Sequence, residues 1–125
     1  MDGLHLTADL HGCAVERAAM TDPGALRVLC LAAVTDAGLH PVRELFHRFA
    51  SPGGITGVVL LAESHLAIHT WPELAAVTLD VYVCNRGADH SRRAEALLES
   101  LVAAFAPTEA QRHALRRGAP ARAPA

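Results

Sequence analysis

The chain has 125 residues, of which 51% are apolar, so it can form one domain around a compact core. Its formal net charge of −2 gives no electrostatic reason to expect nucleic acid or an anionic membrane as a partner. All eleven of its Lys and Arg residues are arginine, so the chain cannot hold pyridoxal phosphate as a lysine Schiff base.

The first half of the chain begins with a strand and a helix. Residues 3–10 alternate apolar and polar side chains, as a strand with one buried face does. A helix follows, because Asp22 and Pro23 are suited to the N-cap and the first helical position. Apolar residues then recur at helical spacing until Gly38 ends the run.

The remaining pattern predicts further strands, a second helix and a tail. The strands are expected at residues 42–49, 57–62, 65–71 and 75–84. The second helix starts near Asp89 and ends before Pro107. Residues 108–125 are rich in Ala, Arg and Pro, and we expect them to form a disordered tail.

These elements predict an α/β (α+β) fold for residues 1–107. The expected architecture is a two-layer sandwich, with an antiparallel-rich four-stranded sheet and two helices on one face. The other sheet face would carry His, Asp, Tyr and Cys side chains. An uncovered polar face of this kind indicates a site or a subunit interface.

The most informative segment runs from Gly57 to Glu73 and reads GVVLLAESHLAIHTWPE. Its last eleven residues, from Glu63 to Glu73, are similar to the processing segment of the prokaryotic S-adenosylmethionine decarboxylase family. In that family the pattern Glu-Ser-His-Leu-x-Ile-His-Thr-Trp-Pro-Glu surrounds a self-cleavage serine. A looser similarity extends from about His5 to Phe105.

The resemblance implies a pyruvoyl-dependent decarboxylase that cuts itself between Glu63 and Ser64, into a β chain 1–63 and an α chain 64–125. The Ser64 hydroxyl would attack the Glu63 carbonyl carbon to form an ester. Elimination and hydrolysis would then leave a covalent pyruvoyl cofactor at position 64. Its ketone would form a Schiff base with the substrate and act as the electron sink for decarboxylation, the role of pyridoxal phosphate elsewhere.

The resemblance also implies roles by position. His69 would assist processing by proton transfer, and Thr56 stands where the family usually has a serine that aids processing. Cys84 would reprotonate the substrate after carbon dioxide leaves. Phe49 would stack on adenine, and Glu73 would bind the ribose hydroxyls.

The sequence departs from the family pattern mainly at substrate contacts. His11 lies where an aromatic pair is usual, and it would have to stand in for an adenine-stacking ring. Residues 74–76 replace a Tyr-Gly-Tyr-like stretch. We expect S-adenosylmethionine as the substrate, and L-arginine or L-ornithine decarboxylation on the same scaffold stays open as the alternative.

The resemblance further implies a homodimer of αβ pairs with sites between protomers. One protomer would supply the pyruvoyl group and Cys84, and the other would supply Phe49 and Glu73, with His69 as a further candidate. The three cysteines have no Cys-x-x-Cys spacing, which is typical of free thiols in a reducing cytosol. The chain start lacks signal-peptide features and no apolar run approaches the roughly 20 residues that span a bilayer, so we expect a cytoplasmic protein.

Two other classes of function stay open. The first is a metal-binding protein that uses His65, His69 and Cys84. A helix would place His65 and His69 together, whereas a strand separates them by about 13 Å, so we expect no metal site. The second is a processing-dead subunit of an active relative, although such a chain is expected to lose Ser64 or His69.

Overall fold

The computed structural model describes residues 2–118. Its main elements in chain order are β1 (Gly3–His11), α1 (Pro23–Asp36), β2 (Pro41–Arg48), β3 (Ile55–Leu61), β4 (Ser64–Trp71), β5 (Ala76–Cys84), α2 (Ser91–Phe105) and β6 (Glu109–Arg117). Short 3₁₀ turns precede α1 and follow β4. No helix in the described part of the chain is long and apolar enough to cross a membrane.

Both helices form where local sequence favours them. The Asp22 side chain accepts hydrogen bonds from the backbone N–H groups of Gly24 and Ala25, which caps α1. After α1 ends, Gly38 adopts a φ of 84°, a conformation that glycine tolerates well. The inner face of α2 is a continuous buried stripe of Ala94, Leu97, Leu98, Leu101, Val102 and Phe105.

The sheet is antiparallel throughout, in the order β2-β3-β4-β5-β1-β6. A two-residue turn at residues 62–63 joins β3 to β4 and sets their register. Leu61 lies opposite Ser64 at the turn, and Thr56 lies opposite His69 at the far end. This register decides which side chains of the two strands meet.

The two faces of the sheet differ as the alternation predicts. On β5, Val77, Leu79, Val81 and Val83 are buried with the helices in one hydrophobic core. The opposite face carries histidines, Asp80, Tyr82 and Cys84, and no other element within residues 2–118 covers it. The predicted two-layer α+β architecture is confirmed.

The predicted number of four strands is wrong, because the sheet has six. All five predicted extended segments pair, and the sixth strand is Glu109–Arg117, which was expected to be part of a disordered tail. Its backbone pairs with the free edge of β1 from Gly3 to His11. Composition cannot reveal this pairing, since β6 is mostly exposed and is held by main-chain hydrogen bonds. The rest of the predicted tail, 119–125, lies outside the described residues.

Candidate active site

The predicted cleavage bond lies in a strained turn. Ser64 is the first residue of β4 and has a φ of 149°, which non-glycine residues rarely adopt. Such a conformation costs about 1–3 kcal/mol and persists only when the surrounding structure imposes it. The strain therefore lies in the backbone of Ser64, directly next to the predicted cleavage bond.

Hydrogen bonds fix both the main-chain carbonyl group and the side-chain carboxylate of Glu63. Its carbonyl oxygen accepts a hydrogen bond of 2.8 Å from the backbone N–H of Cys84. Its carboxylate is buried and accepts bonds from the backbone N–H of His40 at 3.0 Å and the ring Nδ1 of His40 at 2.7 Å. Burial alone would raise the pKa of Glu63, but the hydrogen bonds and charge of His40 outweigh burial and keep this pKa below its ordinary value.

The Cys84 thiol belongs to the same end of the sheet. Cys84 is the last residue of β5, is a free thiol and is partly exposed. Its neighbour Val83 lies directly opposite Ser64 in the sheet. We call Glu63, Ser64 and Cys84 the cleavage half-site.

A chain of side chains extends from the cleavage half-site across the uncovered face. The Ser64 Oγ lies 3.5 Å from His65 Nδ1, and His65 Nε2 lies 3.2 Å from Asp80 Oδ2. Asp80 Oδ2 is also 2.9 Å from His5 Nε2, and His5 Nδ1 is 3.0 Å from an Arg117 guanidinium nitrogen. We call His5, His65, Asp80 and Arg117 the histidine network.

Sequence reasoning assigned no role to this network. The strand pattern placed His5 and Asp80 on the uncovered face, and that shared face was the available signal. Arg117 had no signal, because its position depends on β6. In the described part of the chain, His5, His65 and Asp80 form the one cluster with metal-binding geometry, and His69 and Cys84 do not join it.

The other predicted residues surround a pocket at the opposite end of β4. It is lined by Phe49, Gly54, Thr56, His69, Trp71 and Glu73, among others. The Thr56 hydroxyl lies 3.0 Å from His69 Nδ1, so threonine makes the contact with His69 that a serine hydroxyl could make. Gly54 approaches so closely that a Cβ there would lie 2.6 Å from the Thr70 carbonyl oxygen. We call Phe49, Thr56, His69, Trp71 and Glu73 the pocket half-site.

Within one chain the two half-sites are far apart. Ser64 and His69 lie on the same extended strand five residues apart, a separation of about 17 Å. His11 joins neither half-site within the described residues. It ends β1, with its carbonyl oxygen bonded to Thr108, and it does not line the pocket. The fold therefore brings together the predicted residues in two groups and leaves His11 apart.

The fold and the cleavage half-site define a class of protein: a two-layer α+β domain in which a serine with a strained backbone follows a hydrogen-bonded carbonyl group. The chain belongs to the S-adenosylmethionine decarboxylase family, because the family model of that description matches residues 4–118. The S-adenosylmethionine decarboxylase proenzyme of Pyrococcus furiosus is 36% identical over 104 residues, covering 83% of this chain and 73% of that protein.

Two further comparisons agree with this family. The proenzyme of the same name from Syntrophomonas wolfei is 43% identical over 82 residues, 66% of this chain and 63% of that protein, so this alignment spans less than two thirds of its length. The crystal structure of the adenosylmethionine decarboxylase from Aquifex aeolicus superposes with a TM-score of 0.84 at 33% identity. It covers 98% of this chain and 96% of that chain.

Proposed function

We propose that this chain is a self-processing S-adenosylmethionine decarboxylase that cleaves its Glu63–Ser64 bond and uses the resulting pyruvoyl group as cofactor. The geometry at Ser64 carries this proposal. A serine with a φ of 149° follows a carbonyl oxygen that the Cys84 N–H holds at 2.8 Å. Strain and a fixed carbonyl are what an intramolecular attack on that bond requires.

The surroundings of Ser64 suit a pyruvoyl group at this position. Such a group supplies the electron sink that decarboxylation of an amino acid needs. Cys84 supplies a partly exposed thiol on the adjacent strand, at the same end of the sheet. We assign to this thiol the donation of a proton to the substrate α-carbon once carbon dioxide has left.

The pocket half-site fits a nucleoside better than a bare amino acid. Phe49 and Trp71 present exposed rings, with 53% and 44% of their surface accessible, and aromatic faces of this kind can stack on adenine. Glu73 is an exposed carboxylate in the same pocket and can accept hydrogen bonds from ribose hydroxyls. Arginine and ornithine have no adenine ring or ribose hydroxyls, although an arginine guanidinium can also stack on an aromatic ring and pair with a carboxylate, so product identification is needed to separate these substrates.

A homodimer would combine the two half-sites. About 17 Å separates Ser64 from His69 in one chain, so proton transfer by His69 requires the Ser64 of a second copy. The uncovered sheet face offers exposed apolar side chains at Leu45, Leu60 and Leu115 for such an interface. In this arrangement one copy supplies the cleavage half-site and the other the pocket half-site. The three free thiols suit a reducing compartment, so we also propose a cytoplasmic location.

Intact mass and product identification test the proposal. Purified protein should consist of chains 1–63 and 64–125, the latter with a pyruvoyl end, while Ser64→Ala should stay uncut. The processed protein is then incubated separately with S-adenosylmethionine, arginine and ornithine. Decarboxylated S-adenosylmethionine is the expected product, agmatine or putrescine would replace the substrate assignment, and an uncut wild-type chain would overturn self-processing.

A further inference from the structure

We propose that His65 is the base that removes the hydroxyl proton of Ser64 in the first step of self-cleavage. Asp80, His5 and Arg117 are positioning residues that favour the ring tautomer with a free lone pair on Nδ1. This inference deepens the proposed self-processing and rests on it. It concerns the formation of the ester, and it assigns the proton transfer by His69 to the later breakdown of that ester.

Distance selects His65. Its Nδ1 lies 3.5 Å from the Ser64 Oγ within the same chain. The contact is long for a hydrogen bond, as catalytic contacts often are before the reacting group reaches its transition-state geometry. The chain's own His69 lies about 17 Å away along the same strand, and His69 of a second copy is assigned to the later breakdown of the ester.

The network determines which ring nitrogens carry protons. Arg117 can only donate, so His5 Nδ1 accepts from it and His5 Nε2 keeps its proton for Asp80. An ionised Asp80 can only accept, so His65 Nε2 also donates to it. A neutral His65 must then have its lone pair on Nδ1, the nitrogen that faces Ser64.

The step balances without any outside reagent. The Ser64 Oγ gives its proton to His65 Nδ1 and forms a bond to the Glu63 carbonyl carbon. The bond from that carbon to the Ser64 nitrogen then breaks, and His65 returns the proton to this nitrogen. The product is an ester with a free amine, which is the isomer of the starting amide.

The developing negative charge also has a partner. As the Ser64 oxygen attacks, charge accumulates on the Glu63 carbonyl oxygen. The Cys84 backbone N–H already donates to this oxygen at 2.8 Å. A preorganised backbone donor at such a position stabilises an oxyanion, as in acyl-transfer enzymes. Base and oxyanion donor thus both belong to the chain that is cleaved.

Hydroxylamine separates ester formation from ester breakdown, because it cleaves esters but leaves ordinary peptide bonds intact under mild neutral conditions. The full-length His69→Ala protein should accumulate the ester, and hydroxylamine should cut it between residues 63 and 64. The His65→Gln protein should form the ester about a hundredfold more slowly. Most of its chains should therefore keep the ordinary peptide bond and resist hydroxylamine. Fragment masses give the readout, and Ser64→Ala is the uncuttable control.

Three further variants guard against a purely structural effect. His113→Gln changes an exposed histidine on β6 and should process like the wild type. Asp80→Asn should reduce ester formation in the same hydroxylamine assay. His65→Ala should regain cleavage when imidazole is added as an external base, a rescue that a folding defect would not show.

The outcomes are distinct. If wild-type protein is uncut, the proposed function fails, whatever His65 does. If wild-type protein is cut but His65→Gln either processes at the wild-type rate or accumulates as much hydroxylamine-sensitive ester as His69→Ala, the assignment of His65 is overturned. Failure of imidazole to restore cleavage to a folded His65→Ala protein would also overturn it.

Discussion

The cleavage half-site and the pocket half-site are built in different ways. At the cleavage half-site a tight turn, a buried carboxylate and a backbone hydrogen bond fix Glu63 and Ser64 within one chain. The pocket half-site has exposed rings and a surface carboxylate, with a side-chain hydrogen bond between Thr56 and His69. A reaction that happens once per molecule can be prepared by backbone geometry, whereas repeated substrate binding needs an accessible surface.

The largest expected effect tests whether the two half-sites of one active site come from different chains. Cys84→Ala and Glu73→Ala should each reduce decarboxylation about a hundredfold or more when purified alone. Co-expressed in equal amounts, they should recover roughly a quarter of wild-type activity, because half of the dimers are mixed and each mixed dimer has one intact site.

Activity assays with matched protein concentrations measure this recovery. Cys84→Ala combined with a chain carrying both changes is the control, because its mixed dimers contain no intact site. Absence of recovery in the first mixture would mean that each chain completes its own site, against the shared-site proposal.

A smaller effect concerns the contact between Thr56 and His69 in the pocket half-site. Thr56→Ser keeps the hydroxyl and should process like wild type, whereas Thr56→Val keeps the shape and should slow processing about tenfold or more. Gel densitometry of cut and uncut chain over time measures the rates. Equal rates for the serine and valine variants would show that the hydroxyl has no part in processing.

The buried Glu63 carboxylate gives a pH-dependent effect on stability. Burial would raise its pKa, but His40 lowers it, so the native state gains stability above the ordinary Glu pKa of about 4.3 and loses it as pH falls through the lower folded-state value. In an uncuttable Ser64→Ala background, Glu63→Gln should cost about 1–2 kcal/mol of unfolding free energy near neutral pH.

Urea denaturation at several pH values checks this expectation. The cost of Glu63→Gln should shrink as the pH drops into the acidic range where the folded carboxyl protonates. Glu95→Gln, at an exposed position on α2, serves as the matched control with little effect at any pH. A cost that stays constant with pH would contradict an ionic role for Glu63.

The smallest effect isolates the strain at Ser64. Ser64→Gly and Ser64→Ala both prevent cleavage, but glycine accepts the φ of 149° more readily than alanine does. The glycine protein should be more stable in chemical denaturation by about 1 kcal/mol, after allowance for the greater entropy of its unfolded chain. Equal or lower stability of the glycine protein would argue against stored strain at the cleavage bond.

Local sequence signals determined the elements and the processing motif. The Asp22 cap, the apolar stripe of α2 and the alternation along β5 are short-range patterns, so they could be interpreted without a structure. The motif from Glu63 to Glu73 is likewise contiguous, and it carried the resemblance that led to Ser64, His69 and the family.

Only the tertiary structure decided what depends on strand pairing. β6 exists because β1 offers it an edge, and His5 meets Asp80 across 75 residues of sequence through the register of β1 and β5. The separation of Ser64 from His69 likewise follows from their positions on one extended strand. Pairing between distant strands is held by backbone hydrogen bonds that every residue except proline can make, so the sequence of one strand does not identify its partner strand.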